Sequence, residues 1–170
     1  FLVYPRPLFD AVGIGLVAVG FGGYLLLNWA VYGGPFAFVA SQRDHWSKSL
    51  AWPREGIAGV VGRLGYDSLE EALVLGWAEL GAIVLGLVGT LVALRRYRAS
   101  WTVWMAGNWL LFVSTAFVLS VPRYTLVLFP LFAWLGALAE RRWLGWAIGA
   151  GSLGLQLWFA TRFASGNWAF

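Results

Sequence analysis

The sequence predicts an all-α integral membrane protein, and three observations carry that prediction. Of 170 residues, 60% are hydrophobic and only 12% charged, whereas an ordinary soluble domain carries about a quarter charged residues. The mean hydropathy is +0.71. The apolar residues fall in continuous Leu/Val/Ala/Gly-rich runs near the ~20 residues that a ~30 Å hydrocarbon core requires, without the period-2 alternation of a membrane barrel.

About five transmembrane helices are expected, from Leu8 to Tyr32, Leu69 to Leu94, Trp101 to Leu119, Pro122 to Ala139 and Trp143 to Phe163. The break SVP between the third and fourth is so short that those two should form a tight antiparallel hairpin. Residues 1–170 are read as a single membrane domain. The chain opens FLVYPRP, with no initiator methionine and no signal-peptide pattern, and so is expected to be the C-terminal part of a longer polytopic protein.

Charge and chemistry narrow the function classes. The net charge of +4 comes from 12 basic residues against 8 acidic ones, and the basic residues stand in short clusters between apolar runs. Such clusters suit anionic headgroups of membrane lipids, not nucleic acid. There is no cysteine and one histidine, which excludes disulfide frameworks, thiol nucleophiles and Cys/His zinc clusters. No cofactor is identifiable, no metal site is expected, and dependence on a divalent metal is left open.

Orientation follows the arginines, because short cytoplasmic loops retain positive charge. Arg6, Arg95, Arg96, Arg98, Arg141 and Arg142 lie in short connections that would share one face, the cytoplasmic one. Arg43, Lys48, Arg54, Arg63 and Arg123 are spread over longer or interfacial segments and accompanied by Asp44, Glu55, Asp67, Glu70 and Glu71. On this reading the Gly33 to Ser68 loop and the stretch Ser120 to Tyr124 lie outside.

Within that outer loop, GGPFAFVASQRDHWSKSLAWP reads as an amphipathic helix in the membrane interface. Pro35 suits a first helical turn, Phe36, Val39, Ala40, Trp46 and Leu50 recur at helical spacing, and Pro53 stops the segment. Ser41, His45 and Lys48 share the opposite face. The helix is either a surface anchor or a lid over a lipid substrate, and His45 beside Asp44 is too little for a metal site.

Glu79, in GWAELGA, lies about 13 Å beyond Glu70 along the second span at ~1.5 Å per residue. A carboxylate at that depth should face inward, toward a partner or water, in either a functional or a structural role. Asn108 and Gln156 read as hydrogen-bonding glue between helices. In SVPRY, Pro122 suits a helix start and Arg123 follows it, so that the free N–H groups and the guanidinium would together receive an anion such as a lipid phosphate. The competing reading is an arginine that only snorkels to headgroups.

PFAFVASQRDHWSKSLAWP, SVPRYTLVLFPLFAWLGALA and LQLWFATRFASGNWAF together resemble the C-terminal half of the PIG-V type mannosyltransferases, the family of GPI mannosyltransferase 2 and its prokaryotic relatives among the polytopic GT-C glycosyltransferases. The resemblance spans most of the chain, and SxPRY…FP is its most specific element. It implies transfer of a sugar from a polyprenyl- or dolichyl-phosphate donor to a lipid-linked or glycolipid acceptor on the non-cytoplasmic face. It also implies a donor-phosphate role for Arg123 and Tyr124 beside Pro122 and, more loosely, outer-loop substrate contacts at Gln42 and Trp46, to which His45 of the same segment is added as a candidate contact. The Arg-Trp-Asp-like acidic motif of the family is not present, so the catalytic base is expected upstream and this segment alone is expected to be inactive. The arginine-rich, lysine-poor composition favours a prokaryotic plasma membrane; a eukaryotic relative would sit in the endoplasmic reticulum. The competing class is a transporter or scramblase half, or a membrane scaffold, in which Glu79 and Arg123 line a path.

Overall fold

The computed structural model describes residues 7–167, with the side chains of 7–12 and 14 also outside the description. Arg6, which entered the orientation argument, lies outside the described residues. Among the described residues the chain is all-helical apart from turns, loops and an isolated bridge between Leu50 and Thr115. It forms two compact units, Phe1–Lys48 and Ser49–Phe170.

The first unit holds α1 (Pro7–Tyr32) and α2 (Ala37–Trp46). The window Gly15–Tyr32 of α1 is long and apolar enough to cross a membrane. Most of its described side chains are exposed, as suits a lipid-facing helix. Tyr24 and Phe38, with ring centroids 5.4 Å apart, join the two helices.

A helix forms where the interfacial one was expected, but it is shorter than its apolar spacing suggested. It ends at Trp46, where Ser47 turns left-handed at φ 52° and the N–H of Lys48 closes on the carbonyl of Gln42 at 3.1 Å. Lys48 and Leu50 therefore fall beyond it. Pro53 does not end that helix but opens another, α3 (Pro53–Gly62), since proline at a first helical turn forfeits only an N–H that had no helical partner.

The second unit is built on α4 (Leu69–Arg96), which is also long and apolar enough to span a membrane. Ser68 caps it by accepting the N–H of Glu71. The stretch Ala72–Ala78 is wound as π-helix before the α-helix resumes at Glu79. Against α4 pack α3, α5 (Ala99–Val113) and α7 (Phe129–Ala139), while α8 (Arg142–Ala164) pairs with α7. Val60, Ile83, Val113, Val118 and Val121 form one buried cluster, and Ala93, Met105, Leu128 and Leu131 another. Trp109 and Trp104 fasten elements: their indole N–H groups donate to the carbonyls of Ile83 and Val127, each at 2.9 Å.

The expectation of five spans is corrected. Among the described residues two helices meet the length and hydropathy that a crossing needs, or three if one bent pair counts as a span. α5 has 15 residues, about 22 Å at ~1.5 Å per residue. Past Val113 the chain leaves the helix and is pinned to residues 49–51, with Ala51 N–H donating to Ser114 O and Ala116 N–H to Ser49 O. The tight hairpin is thus replaced by a looped connection. The fourth run is broken into α6 (Val121–Tyr124) with its 3-10 turn Thr125–Val127, and α7, at an angle of 85°. Pro130 explains the break, because proline lacks an N–H and disfavours helical geometry before it. α8 is long enough, at 23 residues, but not apolar enough to qualify.

Candidate functional site

The centre of the second unit is a charged clip around the start of SVPRY. Glu79 is fully buried, as its depth predicted. Its two carboxylate oxygens accept the backbone N–H groups of Ser120 at 2.6 Å and Val121 at 2.8 Å. The anion at this turn is therefore the protein's own. That corrects the reading in which the first N–H groups of the Pro122 turn stand open: those of Ser120 and Val121 are already paired, Pro122 has none, and α6 has only four residues.

Arg63 closes the other side. It is 5% exposed, its Nη2 donates to the carbonyl of Val118, and its guanidinium lies 4.9 Å from the centre of the Phe117 ring. Its Nε is buried without a hydrogen-bond partner. Burial pushes the Arg63 guanidinium down from its ordinary value, and the nearby charge of Glu79 pulls it back up. The segment Val118–Val121 is thus gripped by its carbonyl from Arg63 and by its N–H groups from Glu79. Ser120, in the grip, holds φ at 71°, a left-handed conformation that costs a non-glycine residue about 1–2 kcal/mol.

Beyond the clip the turn presents Arg123 to the exterior. Arg123 lines an open groove of about 660 Å³ with Pro122 and Leu126 on its own side and Gln156, Phe159, Ala160 and Phe163 of α8 opposite. The groove is apolar except for the guanidinium and the Gln156 amide. Gln156 is therefore a groove residue, and Asn108 serves its own helix, donating to the carbonyl of Trp104 at 2.8 Å. Tyr124 packs its ring on Phe112 at 5.4 Å and lies under the Arg123 guanidinium at 5.9 Å. It supports the arginine and is not one of the groove's lining residues. Arg162 of α8 forms an ion pair with Glu70 and so seats the end of α8 beside the start of α4.

The structure brings Glu79, Arg123 and Tyr124 together in the second unit. Gln42, His45 and Trp46 belong to the first unit, on α2, where all three are exposed. The His45 ring nitrogen Nδ1 lies 3.2 Å from the carbonyl of Ser41, one turn earlier. Among the described residues no group of three or more His, Cys, Asp or Glu side chains could hold a metal ion. Sequence reasoning missed Arg63, which it took for a surface charge; its setting, GVVGRLGY, a single charge among small and apolar residues, was the signal available. Compared with protein-family models, curated proteins and solved structures, the chain matches none.

Proposed function

We propose that this chain is the C-terminal part of a membrane glycosyltransferase of the PIG-V type, moving a sugar from a polyprenyl- or dolichyl-phosphate carrier to a glycolipid acceptor on the non-cytoplasmic face. One observation carries the reading: a single exposed guanidinium stands in a groove whose other walls are almost wholly apolar. A lipid-phosphate sugar has that polarity, an anionic head joined to a hydrocarbon chain. Arginine meets a phosphate with a planar fork of donors, and its charge-assisted bonds strengthen as the departing lipid phosphate gains charge. The carboxylate that takes the acceptor's proton belongs upstream in this reading, in an outer loop of the Arg-Trp-Asp kind.

Arg123→Ala in the full-length protein is expected to lower sugar transfer from a polyprenyl-phosphate mannose by about 10²–10³-fold, the usual loss for one donor to a developing oxyanion. Arg123→Lys should recover only part of it, since lysine keeps the charge and loses the fork. Full transfer by the alanine variant, at matched amounts of folded protein, would remove the phosphate role.

The 85° break between Val121–Val127 and Phe129–Ala139 favours a second reading, a transporter or scramblase half, because discontinuous helices flank many transport paths. Lipid translocation by purified full-length protein in vesicles, without any sugar transfer, would select it.

In the transferase reading α1 and α4 are successive crossings of a prokaryotic plasma membrane, with His45 outside and Arg96 inside. Single cysteines at these positions, labelled in intact cells with an impermeant thiol reagent, should react at 45 and not at 96. The reverse pattern would put Arg123 on the wrong face for a lipid-phosphate sugar.

A further inference from the structure

We propose that Glu79 and Arg63 are positioning residues, a buried charged clip that sets the direction in which Arg123 enters the groove; this rests on the reading of Arg123 as the phosphate-binding cation. Three observations converge on it. Glu79 spends both oxygens on two adjacent N–H groups, Ser120 and Val121, immediately before the proline and arginine of the turn. Arg63 holds the carbonyl of Val118 just ahead of them. Ser120 between these holds is left-handed without being glycine, a state that persists only where the surroundings over-determine it and that gathers at functional sites.

The choice of residue types supports geometry as the reason for the clip. Buried charges are no more stabilising than well-packed apolar residues of the same volume, so stability alone does not call for Glu79 and Arg63 here; a fixed register is their better-attested use. The helix is also rewound to deliver Glu79. Val74 and Glu79 are both buried although five residues apart, positions that an α-helix of ~3.6 residues per turn would set about 140° apart. The π-helical stretch Ala72–Ala78 widens the turn and brings both inward. Gly76 within it lies against Arg63, whose carbonyl would come 3.1 Å from any Cβ there. One local irregularity thus places the carboxylate and seats the turn that carries its cationic neighbour.

The clip grips three consecutive links of a chain that reaches Arg123 two residues later. A fork that binds a tetrahedral anion through two donors depends on direction as well as charge. Loosening the grip therefore leaves the charge of Arg123 in place and spoils its aim.

The test uses full-length protein in detergent micelles, with polyprenyl phosphate as the probe and two readouts: equilibrium binding, and amide exchange at Ser120 and Val121 compared with Ile83–Ala93. Arg123→Ala should bind far more weakly than the parent. Glu79→Gln, which can accept from one N–H and must point an NH₂ at the other, should speed exchange at Ser120 and Val121, leave Ile83–Ala93 protected, and weaken binding by about tenfold, within the range for misplacing a binding group by ~1 Å. Arg123→Lys should then cost nothing further in the Glu79→Gln background, although it weakens the parent, because the fork has already lost its aim. Should Glu79→Gln fail to fold, the apolar pair Arg63→Met with Glu79→Leu carries the same expectations. Parent-like binding with accelerated exchange, or an undiminished effect of Arg123→Lys in the Glu79→Gln background, would overturn the clip and leave the phosphate role of Arg123 standing. Parent-like binding by Arg123→Ala would instead overturn the phosphate role itself.

Discussion

Gly56→Ala and Gly59→Ala, three residues apart on α3, should shift stability in opposite directions. A Cβ on Gly56 would meet the backbone oxygens of Val113 and Thr115, the latter at 2.9 Å, and Cγ2 of Val118 at 2.8 Å. Two of these neighbours are main chain, and Ser114 beside them is held by the N–H of Ala51, so they yield only if the segment moves. Overpacking of this kind costs about 3 kcal/mol at the upper end of its usual range, and the helix preference of alanine over glycine returns only about 1 kcal/mol. The net loss is about 2 kcal/mol. At Gly59 no atom lies within 4 Å of the added Cβ, so only the preference remains, a gain of up to about 1 kcal/mol. Thermal unfolding of the two variants in one detergent checks both signs. A Gly56→Ala variant as stable as the parent would mean that α3 is not seated against residues 113–118.

Length and apolarity made α1 and α4 legible, because the membrane asks of a spanning helix only that its side chains be apolar for long enough. The same reasoning overcounted spans where apolar residues bury themselves in protein instead of lipid. Val113, Val118 and Val121 look like lipid-facing residues in the sequence and are a protein core in the structure. The break at Leu128 was signalled by the letters FP just after it, yet these were read as part of a family pattern and not as a proline interrupting a helix.

The site was half legible. The inward direction of Glu79 followed from the expense of a carboxylate in an apolar helix. Its partners did not, because they are two main-chain N–H groups 41 and 42 residues away, and an unpaired backbone donor leaves no mark in a sequence. Arg63 shared its segment with Arg54, Asp67 and Glu70, so its burial was hidden among charges that are exposed. Nor does any composition announce a π-helical turn: ALVLGWA is as acceptable to an α-helix, and what distinguishes it is the tertiary demand for Glu79 at one place.

Glu79→Leu should lower stability more than any conservative change in the second unit, and Arg63 decides by how much. Removing the carboxylate leaves two buried N–H groups without their acceptor and a buried guanidinium without the charge that offsets its desolvation. Leaving a buried charge uncompensated costs about 3–5 kcal/mol, and each orphaned N–H adds about 1–3 kcal/mol, so the two causes are of similar size. The two contributions separate in a double-mutant cycle. If the uncompensated charge dominates, adding Arg63→Met to Glu79→Leu should restore stability by about 2 kcal/mol or more, although a second native contact, to the carbonyl of Val118, has been lost. If the orphaned N–H groups dominate, Arg63→Met should make matters worse by the ordinary ~1 kcal/mol of a hydrogen bond. Glu79 pulls the Arg63 guanidinium up while burial, the larger effect, pushes it down, and the cycle measures what that attraction is worth. Unfolding midpoints of the parent, the two single variants and the double variant decide it, and a double variant less stable than Glu79→Leu would show that Arg63 and Glu79 hold the turn without supporting each other.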